Sequence, residues 1–330
     1  MTPTEPRYAT PSSWREWEAW AKWAQRHAAV LMIFGLTAIV AILAAVYSPT
    51  FRTFSNITDV LRQSIVLGLV TIGQSFVMLA GGIDMSVGMI ARVVGLATAV
   101  VLTWGILPPY LVILFGLAGG CTIGLINGAM VTRFNAQPFI LTLGMMGILY
   151  GVGLAITDGP TGLIPLSLLQ MYDLRFWGVP GAVFAMAVVW VVAWWVLART
   201  RFGRSVYAVG GSPNVARLSG LNGDRTILLC YMASGLMAAA AGIFLLTRSG
   251  VGNPNMALGL EFRSIVAAAI GGVSLYGGRG SLLGVLGAVL LISIISNVFD
   301  LFQISPYYRD LALGLIVVLA VAIKRSGKNS

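Results

Sequence analysis

Inside a mostly apolar chain, chemistry has to come from the few polar groups that interrupt it, because each is costly to place in hydrocarbon. The stretch Gly81-Gly82-Ile83-Asp84-Met85-Ser86-Val87-Gly88 falls between two apolar runs. Its glycines allow a tight turn with close backbone approach, and Asp84 or Ser86 can accept from the free N–H groups that open the next helix. A capped turn is the plain reading; a hinge near the inner mouth of a pathway is the functional one. Gly271-Gly272-Val273-Ser274-Leu275-Tyr276-Gly277-Gly278-Arg279-Gly280 is a second glycine-rich turn on the same side. Arg92 stands inside an apolar run four residues past Gly88, about 6 Å along a helix. It can snorkel to the inner headgroups, pair with Asp84, or face a pathway.

Several chemistries have no residues to carry them. No Gly-x-x-x-x-Gly-Lys-Ser/Thr pattern occurs, so the chain has no ATP site of that kind. Cys121 and Cys230 lie in apolar runs and the only histidine is His27, which leaves no ligand spacing for a metal. There is no row of buried carboxylates for a proton relay, no arginine-rich voltage sensor and no nucleophile–base constellation for an enzyme.

The elements that hold these groups follow from composition. Of 330 residues, 58% are hydrophobic and only 10% charged, against roughly 25% charged in soluble proteins. Mean hydropathy is +0.88. A soluble enzyme or DNA-binding domain is thereby excluded, and the net charge of +10 reads as membrane topology rather than nucleic-acid binding. The fold class is all-α and polytopic. Apolar runs fall at 28–47, 65–80, 86–104, 110–131, 138–156, 179–198, 226–247, 264–278, 281–299 and 309–323. The run 264–278 is the weakest, followed by 65–80, and both read as broken or partly re-entrant helices. The first run lacks a cleavage pattern and reads as a true span.

If all ten cross and the N-terminus is cytoplasmic, 14 of the 21 Lys and Arg residues lie inside, 6 outside and Arg92 within a span. Both termini are then cytoplasmic. The chain divides into an interfacial segment 1–27, a transmembrane domain 28–323 with a cytoplasmic loop 199–225, and a tail 324–330. Trp14, Trp17, Trp20 and Trp23 suit a helix lying on the inner face among lipid headgroups. Runs four and five resemble nine and ten at an offset of 170 residues: Asn127 matches Asn297, Leu141 Leu311, Leu143 Leu313 and Gly144 Gly314. Asn127 sits at the inner end of its run and Asn297 at the outer end, as an inverted five-plus-five repeat requires. In the loop, Ser212 can cap a short helix with Pro213 at its first position and Gly220 beyond its end. Such a helix suits docking into a groove on another protein, or is part of an ordinary basic loop.

These residues together resemble the permease subunits of ribose/xylose/arabinose-type ABC sugar importers. The turn Gly81 to Gly88, Asn127-Gly128, Pro138-Phe139-Ile140 with Thr142-Leu143-Gly144, the loop Thr200 to Gly211, Ala216-Arg217-Leu218-Ser219-Gly220 and the turn Gly271 to Gly280 occur in the family's order, over roughly residues 55–325. The resemblance implies an inner-membrane importer subunit for a monosaccharide. It implies a second permease copy or paralogue, a cytoplasmic ATPase carrying ATP and Mg, an extracytoplasmic sugar-binding protein, surrounding lipid, no cofactor on this chain and no nucleic acid. It makes Pro213, Asn214, Val215, Ala216, Arg217, Leu218, Ser219 and Gly220 the helix on which the ATPase docks. The candidate pathway or gate residues are Gly81, Gly82, Asp84, Ser86, Arg92, Asn127, Phe139, Gly271, Gly272 and Asn297. Arg92 departs from the family, which carries apolar or small residues after this turn. Facing the pathway, it would point to a sugar acid, a phosphorylated sugar or another anion. A permease for an amino acid or nucleoside is the alternative, and a stand-alone secondary transporter the more distant one.

Overall fold

A computed structural model describes residues 12–305 and, beyond them, residues 307, 308, 311, 314 and 315. The segment 1–11, most of the expected tenth span and the tail 324–330 lie outside these residues. Twelve helices follow in order: α1 (Ser12–Tyr47), α2 (Phe54–Leu79), α3 (Val87–Trp104), α4 (Pro109–Phe134), α5 (Pro138–Ile156), α6 (Leu166–Asp173), α7 (Gly181–Arg199), α8 (Arg201–Gly211), α9 (Pro213–Leu218), α10 (Gly223–Ser249), α11 (Leu260–Ile270) and α12 (Leu282–Leu301). A two-residue hairpin, β1 (Arg175–Phe176) with β2 (Val179–Pro180), precedes α7. Eight helices are long and apolar enough to cross a membrane among the described residues: α1, α2, α3, α4, α5, α7, α10 and α12. Local chemistry sets their ends. Proline opens α4, α5 and α9, Thr53 caps α2, and Gly105, Asn135 and Gly250 close α3, α4 and α10 in the left-handed conformation.

Two expectations change, at 65–80 and at the N-terminus, and the expected break in 264–278 is found. The run 65–80 is no short segment: α2 begins at Phe54 and has 26 residues. Its polar first turns obscured it, but most of this helix is buried in protein, where Asn56 and Ser64 find partners. The run 264–278 does not cross as a helix. α11 has 11 residues, about 16 Å at 1.5 Å each, half of a hydrocarbon core of about 30 Å. The irregular stretch 250–259 precedes α11 along α3, with Gly252 against Ala99 and Met256 against Gly95, and the turn 271–280 lies beside Gly81 at the end of α2. At the N-terminus, no break separates an interfacial helix from the first span, since α1 runs unbroken from Ser12 to Tyr47.

The offset of 170 is legible in the elements themselves. Added to the bounds of α2 it gives 224–249, against Gly223–Ser249 for α10; added to α4 it gives 279–304, against Leu282–Leu301 for α12. For α3 it gives 257–274, against Leu260–Ile270 for α11. Packing obeys the same relation: α10 lies on α3 and α4, while α2 lies on α11 and α12. α2 and α10 themselves pack together at the centre. Four crossing elements lie between each helix and its counterpart, so counterparts traverse the bilayer in opposite senses.

Without a hydrophobic drive between helices in lipid, close backbone approach holds such a bundle together. A Cβ on Gly124 of α4 would stand 2.2 Å from Tyr231 O, and one on Gly120 2.6 Å from Gly235 O, both on α10. Two turns further along the same face of α10, a Cβ on Gly242 would stand 2.0 Å from Ala91 O of α3. Larger residues at these positions would force the central helix off both neighbours.

Candidate functional site

The turn between α2 and α3 is wholly enclosed, and five helices supply what its polar atoms need. Asp84 Oδ1 accepts from Ser86 N at 3.0 Å and from Ser86 Oγ at 2.6 Å. Asp84 Oδ2 accepts from Ser234 Oγ of α10 at 3.0 Å. Asn127 of α4 donates to Ser86 Oγ at 2.8 Å. Thr142 of α5 accepts from Met85 N at 3.0 Å and reaches Ile83 O at 3.1 Å. The Gln74 carboxamide of α2, oriented by its neighbours, donates to Asp84 O at 3.0 Å and accepts from Asp84 N at 3.3 Å. Asp84, Ser86, Asn127, Thr142, Ser234 and Gln74 are all fully buried. Ser86 occupies the N-cap of α3 without a side-chain cap bond, so Asp84 captures the free N–H instead. This network pins α2, α3, α4, α5 and α10 to one point.

Directly beside it, three stretches of backbone touch. α2 ends on Gly81 and α11 ends on Gly272, both at φ +92, closed by matching bonds: Gly81 N to Met78 O and Gly82 N to Val77 O; Gly272 N to Ala269 O and Val273 N to Ala268 O. Between these turns lies the end of α8. A Cβ on Gly210 would stand 1.8 Å from Leu79 O and 2.7 Å from Gly278 N, atoms themselves joined by a 2.9 Å hydrogen bond. A Cβ on Gly278 would stand 2.4 Å from Gly211 Cα, and one on Gly277 2.8 Å from Gly81 Cα. Tyr207 Oη, one turn back along α8, donates to Gly280 O at 3.1 Å. Only glycine permits this junction.

One residue, Ser212, separates α8 from α9. Ser212 Oγ accepts from Val215 N, Pro213 holds the first helical position, and Gly220 at φ +76 reverses the chain, with Leu221 N bonding Ala216 O. Leu218 is 88% exposed and Val215 61%. Thus α9 presents apolar side chains outward while its root is gripped by both glycine turns.

The remaining candidates scatter. Asn297 of α12 exchanges two bonds with Asn56 of α2, at 3.1 and 2.8 Å, far in sequence and partners from Asn127. Phe139 is 41% exposed on α5. Arg92 neither snorkels nor pairs with Asp84, whose oxygens Ser86 and Ser234 occupy; it is buried and lies over Tyr150, 4.7 Å from the ring centroid. Sequence reading missed Gly210 and Gly211, whose pairing with distant backbone leaves no local signal. It also missed Gln74, Thr142 and Ser234. At the opposite end of the bundle a cavity of about 250 Å³ is lined by Gln63, Arg248, Arg263, Ser293, Ser296 and Asp300 among apolar residues.

An all-α bundle of two interlocked, oppositely running halves, with an exposed helix rooted in a buried polar and glycine junction, is the build of a membrane transport subunit. Comparison with known sequences agrees. Residues 56–321 match the family described as the permease component of branched-chain amino acid transport systems, and the chain belongs to that family. It is 34% identical over 293 residues to the D-allose transport system permease protein AlsC of Escherichia coli K12, covering 88% of this chain and 90% of that one. It is 35% identical over 290 residues to the ribose import permease protein RbsC of Bacillus subtilis 168 (87% and 90%). To the fructose import permease protein FrcC of Rhizobium meliloti it is 36% identical over 310 residues (90% and 84%). The protein is a multi-pass permease of the bacterial inner membrane and a transporter subunit, not an enzyme.

Proposed function

We propose that this chain forms the translocation pathway of an ATP-driven importer for a monosaccharide or closely related polyol. A second copy or a paralogue completes the membrane unit. An extracytoplasmic binding protein delivers solute, and a cytoplasmic ATPase binds ATP and Mg and docks on Pro213 to Gly220. Ribose, allose and fructose permeases among the relatives support the solute class. The absence of a phosphate loop from the sequence accords with hydrolysis on a partner.

The observation that carries the reading is α9 itself: a capped, six-residue helix with exposed Val215 and Leu218, on the side rich in Arg199, Arg201, Arg204, Arg217 and Arg225. Its rigid connection through α8 to the ends of α2 and α11 gives an ATPase a handle on both halves. Closure of the ATPases would displace α9, and α8 would carry that displacement to the two turns, switching the halves between outward and inward access. Residues 199–225 act as the coupling segment of a domain spanning 28–323. The test is Arg217→Glu with Gly220→Trp in the assembled complex: solute-stimulated ATP hydrolysis should be lost while the membrane subunits still assemble. Stimulation at the wild-type level refutes docking at α9. The family description favours an amino acid as the second reading; ligands that stabilise the associated binding protein against heat decide between the two.

A further inference from the structure

Arg92 heads the largest fully buried side chains, at 1% exposure, on a helix that crosses the membrane. Its surroundings do not neutralise it. One terminal nitrogen approaches Met89 Sδ at 4.0 Å, a weak acceptor, and Nε has no partner. Beneath it lies only the face of Tyr150 on α5. Gly153, one turn on, leaves the room: a Cβ there would stand 3.1 Å from Arg92 Nε. Among the described residues no carboxylate comes within ion-pair distance. Asp84 is held by Ser86 and Ser234, and Glu261 lies against Gly88 with Arg263 as its neighbouring charge. Arginine cannot shed its proton. A ring face and a thioether stabilise a guanidinium far less than an anion does, and lipid tails cannot hydrate it. No described residue therefore supplies the compensating group.

The side from which it comes is legible on α5. Thr142, Met145, Leu149 and Gly153 form the buried face of this helix. On its opposite face, Gly144, Gly147 and Gly151 have nothing within 4 Å. Tyr150 sits on the flank between the two faces, 46% exposed. Bare backbone is poorly suited to lipid tails and well suited to a hydrated passage, and the Tyr150 ring on its flank is the group that Arg92 overlies from the buried side. We propose that this face of α5 lines the solute passage and that Arg92 is its charge-selecting residue, so that the solute carries an anionic oxygen group, a carboxylate or a phosphate ester, on its polyol frame. This inference rests on the importer reading above and narrows its solute class.

The experiment uses the complete complex, with its binding protein and ATPase, in vesicles. An equimolar mixture of ribose, fructose, glucose, gluconate, glucuronate and ribose 5-phosphate is supplied, and the lumen is analysed by mass spectrometry. The expected result is ATP-driven accumulation of an anionic member. Arg92→Gln should lower that accumulation by at least about thirtyfold, the low end for removing one partner of a buried charge pair, and Arg92→Lys should retain most of it. A purely structural Arg92 would depress charged and neutral solutes alike. Accumulation of neutral sugars alone overturns this inference and leaves the importer reading standing. No ATP-driven accumulation from the mixture overturns both. Should Arg92→Gln fail to assemble, the wild-type preference decides.

Discussion

Replacing Gly210 with alanine separates a mechanical junction from an ordinary helix end. In isolation the change favours α8, because alanine is the better helix former by up to about 1 kcal/mol. In the folded protein the new methyl would stand 1.8 Å from Leu79 O, where ordinary contact begins at 3.4 Å, so something must move by about 1.6 Å (3.4 − 1.8). The 2.9 Å bond from Gly278 N to Leu79 O tolerates only about half an ångström of stretch before it leaves hydrogen-bond range. Overpacking costs about 1–3 kcal/mol, and a buried amide or carbonyl left without its partner about 1–3 kcal/mol more. Net of the helix gain, Gly210→Ala should destabilise the protein by about 1–5 kcal/mol. Gly211→Ala is the control, since a Cβ there meets nothing nearer than Gly278 Cα at 4.0 Å. Thermal unfolding of the detergent-solubilised complex measures the first effect. ATP-driven uptake by the same complex in vesicles measures the second, and uptake should fall for Gly210→Ala more than ATP hydrolysis does. If Gly210→Ala matches Gly211→Ala in both assays, the two turns and α8 are not in the contact described, and the coupling route through them is wrong.

Two further outcomes follow from the buried polar groups. Asp84→Ala strands Ser86 N, Ser86 Oγ and Ser234 Oγ and should cost about 2–5 kcal/mol, whereas Asp84→Asn keeps an acceptor for Ser86 and lets Ser234 accept in turn, costing about 1 kcal/mol; thermal unfolding of the two variants should rank them in that order. In a double-mutant cycle, Asn56→Leu and Asn297→Leu should be less damaging together than the sum of the single changes, by about 0.6–1.7 kcal/mol, the span found for hydrogen bonds between membrane helices; strict additivity would show that the pair is not bonded.

Much of this architecture was written along the chain. Long apolar runs with Pro, Gly and Asn at their ends sufficed to locate seven of the eight crossing helices, because a helix in lipid must satisfy its own backbone and therefore declares itself by composition over a single stretch. The offset relating Asn127 to Asn297 marked a repeat that the element bounds then extended to α2 with α10 and α3 with α11. The helix from Pro213 to Leu218 was legible in its caps, which are local contacts among neighbours. α2 was the helix most misjudged, since the hydropathy of a helix buried in protein is set by its neighbours and not by lipid.

What sequence alone determined, then, was whatever depends on residues within a turn or two of each other, and on solvent: the class of protein, its crossings and the capped short helix from Pro213 to Leu218. Only the tertiary structure decided that Gly210 meets Leu79 and Gly278, that Asn127 serves Ser86 while Asn297 serves Asn56, and that Arg92 has no counter-ion among the described residues. Those contacts join segments 41 to 241 residues apart. Glycine, serine and asparagine carry no mark of a distant partner, because the energy of a close approach or a buried hydrogen bond exists only once both sides are in place.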